Sequence, residues 1–357
     1  MFEIHIPPLD AQAMRLARER QAALAKPPGS LGALEDISVR FAGITGRVRN
    51  YAKKRRILIF ASDNGVVAEG VASAPQSVTL AQTINFTRGL TGVAVLAKHF
   101  HTELRVYDVG VNADFSQPGV INKKIAHGTR NLAVEPVMSR EQALKAIQIG
   151  IQAAADAAGD GVEILGVGEM GIGNTTTSSA VLSCLLDLPA CETVGRGGGV
   201  NDAGFARKRE LIDAAIARYA PDRSDPVDVL TKLGGFDIAA MCGAFLGAAA
   251  RRLPVVVDGY ISAVAALCAC RINSACKDYL FASHISCERG YMLAIREMGL
   301  APMLDLQMRL GEGSGCPIAF EVVDAALTVL KNMATFEEAR IDDGYLDEIR
   351  ADARLQR

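Results

Sequence analysis

The sequence predicts an α/β fold built on a parallel sheet, and three observations carry that expectation. Short apolar runs of strand length recur along the chain, each separated from the next by a stretch long enough for a helix. Such alternation needs crossover connections, which are right-handed and leave the strands parallel. Several runs end in Asp, Asn or Gly, the residues of a turn at a strand's carboxyl end. The central run, Ile164-Leu165-Gly166-Val167, passes through Gly168-Glu169-Met170-Gly171-Ile172-Gly173-Asn174 and three threonines into the small-residue helical run Ser178 to Cys184.

Taken in order, residues 10–25 read as a helix rich in Ala, Arg and Leu, stopped by Lys26-Pro27-Pro28-Gly29-Ser30-Leu31-Gly32. A second helix follows over about 33–48. Both precede any strand and so read as a separate helical piece. Arg56 to Ala61 is the first clear strand; it runs into Ser62-Asp63-Asn64-Gly65, and polar residues at that end of an open α/β sheet are site candidates. Asp63 reads equally well as an Asx-turn residue. Residues 70–76 form a loop holding Pro75-Gln76, and one helix is expected over about 79–99. Leu104 to Val111 is the next strand. Residues 112–138 are irregular, with a strand or hairpin over Val120–Ala126. Ser139-Arg140-Glu141-Gln142 has the pattern of a helix start, and the helix continues to Ala158.

Beyond the central strand, Gly195-Arg196-Gly197-Gly198-Gly199 is a second glycine-rich loop. Asn201-Asp202 are placed to cap a helix bearing Arg207 and Lys208. A helix over about 237–251 follows, then a strand from Pro254 ending in Asp258-Gly259, and a helix over about 261–273. Tyr279 to Ser283 is a strand ending at His284, a lone histidine at a strand's carboxyl end. Arg309-Leu310-Gly311-Glu312-Gly313-Ser314-Gly315 is a third glycine-rich turn, followed by a helix over about 317–332 and a charged helical tail. The terminal pieces, 1–50 and 318–357, are expected to form a small helical domain, and 51–317 the large α/β domain.

The 357 residues are 50% hydrophobic with a net charge of -2, and no basic run is interleaved with aromatics, which argues against a nucleic-acid surface. No uncharged apolar run reaches the roughly 18 residues of a membrane span. The amino-terminal stretch is amphipathic and charged, unlike a signal peptide. Of the eight cysteines, Cys184, Cys242, Cys268 and Cys270 lie in apolar helical runs and read as small hydrophobes. No zinc spacing is present, so no metal and no cofactor are expected, and the cysteines suit a reducing, cytoplasmic setting. Cys287 and Cys316 lie near candidate site segments.

A strand, a glycine-rich turn and a helix amino terminus together make an anion site. Glycine lets the backbone approach a ligand, and the first N–H groups of the helix have no internal partner. Asn174 or a following Thr is the expected N-cap. The turn is not a Walker A loop, for no Lys follows Gly173, nor the dinucleotide fingerprint, for Thr176 stands where its third Gly belongs. Glu169 is the one charged residue in the turn. A carboxylate beside a phosphate site suits chemistry or a ribose hydroxyl rather than the phosphate. Next to two glycine loops, Lys208 is a phosphate candidate.

Together these stretches resemble the nicotinate-nucleotide–dimethylbenzimidazole phosphoribosyltransferase family of cobamide lower-ligand activation. The resemblance rests on Lys26 to Gly32, Asp63-Asn64-Gly65-Val66, Gly168 to Thr176, Gly195-Arg196-Gly197, Ala206-Arg207-Lys208, Asp258-Gly259, Ser283-His284 and Arg309 to Gly315, in order along nearly the whole chain. It implies a three-layer, mostly parallel six-stranded Rossmann-like sheet, a small domain from both chain ends, and a dimer. It implies transfer of phosphoribose from nicotinate mononucleotide to an aromatic lower-ligand base, with Glu312 as general base. Beside it Glu169 reads as a second catalytic carboxylate, to stabilise positive charge at the anomeric carbon or to position groups around it. The implied substrate-binding residues are Gly171, Gly173, Asn174, Thr175, Gly197, Gly198, Lys208, Asp63, Gln76, Ser283, Leu310 and Gly311.

The chain departs from the family pattern at Asn64, where His is usual, and at Gly198 and Asn201, where Thr and Asp are common. Ala74 replaces an aromatic before Pro75-Gln76, and Arg289 and Tyr291 replace Pro and His. These changes leave open whether the acceptor is dimethylbenzimidazole, another azole, a purine or a phenol. They also leave room for a non-catalytic subunit paired with an active paralogue, against a homodimeric enzyme.

Overall fold

The computed structural model describes residues 4–346. Its centre is a six-stranded sheet of β1 (Arg55–Ser62), β2 (Glu103–Gly110), β3 (Val120–Asn122), β4 (Ile164–Met170), β5 (Val255–Val257) and β6 (Leu280–Ala282). The order across the sheet is β3-β2-β1-β4-β5-β6, and every pairing is parallel. Between β1 and β4 the chain reverses its direction of travel across the sheet, which opens a crevice beyond the carboxyl ends of those strands. β1 and β4 are buried at every residue. That explains their continuous apolar character, since helices cover both faces of a parallel sheet.

The helices are α1 (Ala11–Ala23), α2 (Ala33–Thr45), α3 (Ser77–Thr87), α4 (Gly92–His99), α5 (Arg140–Gly159), α6 (Asn174–Leu186) and α7 (Ala190–Thr193). They continue with α8 (Asp202–Tyr219), α9 (Pro226–Leu233), α10 (Phe236–Ala250), α11 (Tyr260–Ile272), α12 (Tyr291–Glu297), α13 (Cys316–Asn332) and α14 (Phe336–Ala339). α5 begins at the expected helix start, where Ser139 and Gln142 form a capping box, each bonding the other's backbone. Asn201 caps α8 through the Gly204 N–H, 2.9 Å away. α10 packs on α5 with almost no side chain between them. A Cβ on Gly150 would strike the Ala240 carbonyl, and one on Gly243 the Ile147 carbonyl.

Near the amino terminus, α1, α2 and α13 enclose a small apolar cluster of Ala13, Ala17, Val39, Ala42 and Leu330. Arg20 ties the pieces further, donating to the carbonyls of Leu330, Lys331 and Met333. Phe41 and Ile44 of α2 and Phe320 of α13 belong instead to the main core.

Three expectations need correction. The single helix over 79–99 is two helices, α3 and α4. Gly89 sits at φ 74°, and Thr91 caps the second helix through the Ala94 N–H. Within 120–126 only Val120–Asn122 is a strand, which adds in parallel to β2, so the strand alternative holds and the hairpin does not. α7, α9 and α12 were not anticipated, although Asp225-Pro226, an N-cap followed by proline, signals the start of α9. Of the charged tail, α14 and a short 3-10 turn at Gly344–Leu346 are helical, and 347–357 lie outside the described residues. No helix among the described residues is long and apolar enough to cross a membrane.

Candidate active site

A cavity of about 320 Å³ opens at the carboxyl ends of β4, β5 and β6, where Glu169, Asp258 and His284 enter its wall. The turn after β4 forms its floor. A Cβ on Gly171 would strike the Ser62 carbonyl and meet Asp237 Oδ2 at 2.9 Å, so the turn can lie against the end of β1 only as glycine. Gly173, at φ 93°, is the residue from which α6 starts, and it offers no side-chain cap. The expected capping by Asn174 is therefore not found. Asn174 is the first helical residue, and its side chain faces two buried carboxylates. Its Nδ2 donates to Glu169 Oε2 at 2.5 Å and to Asp237 Oδ2 at 3.0 Å.

The third glycine turn crosses directly over β4. A Cβ on Gly168 would meet the Glu312 carbonyl oxygen and the Gly313 nitrogen at 2.6 Å each. Gly311, Glu312 and Gly313 are left-handed in succession, at φ 84°, 63° and 83°. A non-glycine residue held there costs about 1–2 kcal/mol, so the surroundings must compensate. They do so with backbone hydrogen bonds. The Glu312 N–H donates to Glu169 Oε1 at 3.2 Å. The Gly313 and Gly315 N–H groups donate to the two oxygens of Asp258, at 3.0 and 2.7 Å. The Glu312 side chain reaches the start of α4, where the Val93 N–H donates to Oε2 at 3.2 Å.

This places three carboxyls, Glu169, Asp237 and Asp258, in the interior. Burial pushes each up to about 7, against the hydrogen bonds that favour their ionised forms. Glu312 is also pushed up by burial, opposed by the Val93 and Gly92 amides. Asp237 Oδ1 is buried without a hydrogen-bond partner. Groups with raised proton affinity in a cleft are suited to acid–base work.

At the other end of the cavity, Thr175 and the second glycine loop come together. Gly197, at φ 55°, lies so close that a Cβ would meet Thr175 Oγ1 at 2.8 Å, and Gly198 lines the same wall. Lys208 is only 1% exposed and donates to Thr175 Oγ1 at 2.8 Å, so it is not a solvated charge on the face of α8. Burial pushes Lys208 down to about 8, partly opposed by Glu288. A cradle of backbone amides at the start of α6 with an ammonium behind it is an anion site. An adjoining cavity of about 510 Å³ shares the loop and Arg309 and adds Cys287 and Arg289.

Of the residues expected at the site, Glu169, Gly171, Gly173, Asn174, Thr175, Gly197, Gly198, Leu310, Gly311 and Glu312 line the cavity, and Lys208 touches Thr175. Asp63, Gln76 and Ser283 are not among its lining residues. Asp63 Oδ2 takes the Asn112 N–H at 2.7 Å, tying the end of β1 to that of β2. Gln76 precedes α3 and accepts from Asn112. Ser283 hydrogen-bonds the Asp258 carbonyl and His284 Nδ1, at 2.9 Å each. Asp237 was overlooked, because 63 residues separate it from Asn174 and it reads as an ordinary first-turn acid of α10. Asn64, the departure from His, is fully buried, and Tyr291 stacks on His284.

A family profile for phosphoribosyltransferases matches residues 6–341. The chain is 54% identical over 342 residues to the nicotinate-nucleotide–dimethylbenzimidazole phosphoribosyltransferase of Clostridium perfringens (strain ATCC 13124), covering 96% of this chain and 95% of that protein. It is 46% identical over 340 residues to the enzyme of that name from Geobacter sulfurreducens, covering 95% and 97%. A crystal structure of the Thermus thermophilus enzyme superposes with a TM-score of 0.89 at 38% identity, over 94% of this chain and 100% of that one. A match this long, with the glycine turns and buried carboxylates in place, leads to one conclusion: the chain belongs to the phosphoribosyltransferase family that contains the nicotinate-nucleotide–dimethylbenzimidazole enzymes.

Proposed function

We propose that this protein moves the phosphoribosyl group of nicotinate mononucleotide to a ring nitrogen of 5,6-dimethylbenzimidazole or to a related azole or phenol. The products are an α-riboside phosphate, for cobamide assembly, and nicotinate. The observation that carries the reading is a pair of carboxylates, Glu169 and Glu312, in one cavity with the Thr175–Gly197–Lys208 cradle.

The chemistry fits those parts. Nicotinate leaves through a cationic ring nitrogen and becomes neutral there as the C–N bond breaks, so its departure needs no strong acid. The incoming azole forms its bond through one nitrogen and loses the proton from the other. One carboxylate must take that proton, and Glu312 is assigned to it. The anomeric carbon gains positive character as the bond loosens, as in glycoside hydrolysis, and Glu169 is assigned to stabilise that charge. Attack from the face opposite nicotinate converts a β-nucleotide into an α-product. The cradle holds the donor phosphate and so fixes the ribose for attack. Gly171, Gly173, Asn174, Gly198, Leu310 and Gly311 complete the proposed binding wall. We further read the protein as a cytoplasmic homodimer whose terminal helices form a small domain, a reading supported by the family resemblance and the α1–α2–α13 cluster.

The test is an assay of the purified protein with nicotinate mononucleotide and a panel of acceptors, alongside Glu312→Gln. Formation of nicotinate and riboside with one acceptor class is expected, with kcat lowered by about 10² to 10⁴ in the variant. For a phenolic acceptor, which ionises by itself, high pH should recover part of the loss. No turnover with any acceptor would favour the non-catalytic subunit reading, and wild-type turnover in the variant would remove Glu312 from the mechanism.

A further inference from the structure

The start of α4 is the least expected part of the site, for it exists only because the helix anticipated over 79–99 is broken. Its first three N–H groups need partners from outside the helix. That of Ala94 donates to the Thr91 side chain. Those of Val93 and Gly92 donate to Glu312, which lies 219 residues away in sequence from Val93. Gly92 allows the approach: a Cβ there would collide with Leu310 Cδ2 at 2.5 Å and press on Glu312 Oε2 at 3.3 Å. From the other side, the turn amides of residues 312, 313 and 315 are held by Glu169 and Asp258. The backbone of Glu312 is thus fixed by strands β4 and β5, and its carboxylate by α4.

We propose that the amino end of α4 is the mount of the general base, with Gly92 and Val93 as positioning residues acting through their backbone amides. The proposal rests on Glu312 being that base. A base must be ionised before it takes a proton, and burial opposes ionisation. Two amides at a helix amino terminus favour the carboxylate, through their hydrogen bonds and through the helix dipole. A carboxylate offers about four lone-pair positions, so two amides still leave room for the acceptor's proton. The other titratable groups lining the cavity are Glu169 from β4, Asp258 beyond β5, Tyr260 at the start of α11, His284 and Glu288 beyond β6, Arg309 on the turn of Glu312 and Arg196 on the second glycine loop. The basic residues of α4 itself, Lys98 and His99, lie in its last turn.

The test is Val93→Pro, which deletes one amide at a position in the first turn where proline is tolerated. The acid limb of the kcat/KM profile, which reports the base of the free enzyme, should move up by about one pH unit, since two or three such amides hold a carboxylate some two units down. Turnover on the acid side should fall about tenfold for that one-unit shift and recover at higher pH. In a Glu312→Gln background the same change should cost no further kcat. A variant slowed equally at all pH values, or equally in both backgrounds, would overturn the mount. If Val93→Pro does not fold, Gly92→Ala is read through the same cycle: loss in the Glu312 background alone supports the mount, and equal loss in both overturns it. Should Glu312→Gln by itself leave turnover intact, the assignment of the base fails first, and the two failures are distinguishable.

Discussion

Lys208 shows how far a side chain can depart from its look in sequence. Between Arg207 and Arg209 it reads as one of a run of surface charges, yet it is buried against Thr175 while Arg207 pairs with Glu69 at the surface. Its lowered proton affinity makes donor binding depend on pH, with a definite sign. Below about 8 the free lysine is charged and ready for the phosphate; above that it loses its proton. The donor phosphate itself is already a dianion there, its second pKa being about 6. We predict that the dissociation constant of nicotinate mononucleotide rises about tenfold per pH unit above that point, and that binding takes up a proton, visible as a buffer-dependent heat. Lys208→Ala should abolish the dependence and weaken donor binding by about 1.5–3 kcal/mol; unchanged affinity would separate Lys208 from the phosphate. At this scale the sequence exposes residues that break a local pattern. Glu169 and Glu312 are lone charges among glycines and can be picked out by eye. Asp237 breaks no pattern, and only the fold brings it to Asn174.

Elements were legible where periodicity was strong and punctuation clear. β1, α5 and α13 fall within a residue or two of their expected places, because apolar runs and caps mark them, whereas β4 runs on to Met170 and takes Glu169 out of the turn and into the strand. The break between α3 and α4 was hidden because apolar residues keep helical spacing on both sides of Gly89, and a lone glycine is tolerated in a helix. The tight seam between α5 and α10 was also hidden, since Gly243 and Gly247, which make it with Gly150, lie far along the chain from that residue. The seam gives a test with an internal control. Gly243→Ala drives a methyl into the Ile147 carbonyl and should cost about 1–3 kcal/mol or more in denaturant unfolding. Gly159→Ala, at the end of α5, meets nothing within 4 Å and should be neutral or stabilising by about 0.4–1 kcal/mol. Equal effects would mean that α5 and α10 are not in backbone contact.

For the molecule as a whole, the three buried carboxyls set how stability varies with pH. Each binds its proton more tightly folded than unfolded, so the folded state is favoured most below about 4, the ordinary carboxylate range. That advantage is lost as pH rises toward about 7, where the folded groups ionise. The slope is at most about 1.4 kcal/mol per pH unit for each proton released. We predict a falling unfolding temperature between about pH 5 and pH 7.5, flattened in Asp237→Asn. A rising curve, or one unaltered by that substitution, would show that these groups are not the ones titrating.

The crossing of the Glu312 turn over Gly168 has a consequence for the order in which a working enzyme comes into being. Strand β4, Asn174, Thr175 and Lys208 have all left the ribosome while the base is still on the order of a hundred residues from being made, since domains form from the amino end during synthesis. A nascent chain can therefore assemble the phosphate cradle early, with an open slot along Gly166 and Gly168. The slot is filled only when residues 311–316 arrive, Gly168 receiving the Glu312 turn and Gly166 receiving Cys316. Competence therefore arrives only with residues 311–316, which lead into α13, whose Phe320, Val323 and Leu327 then close the main core.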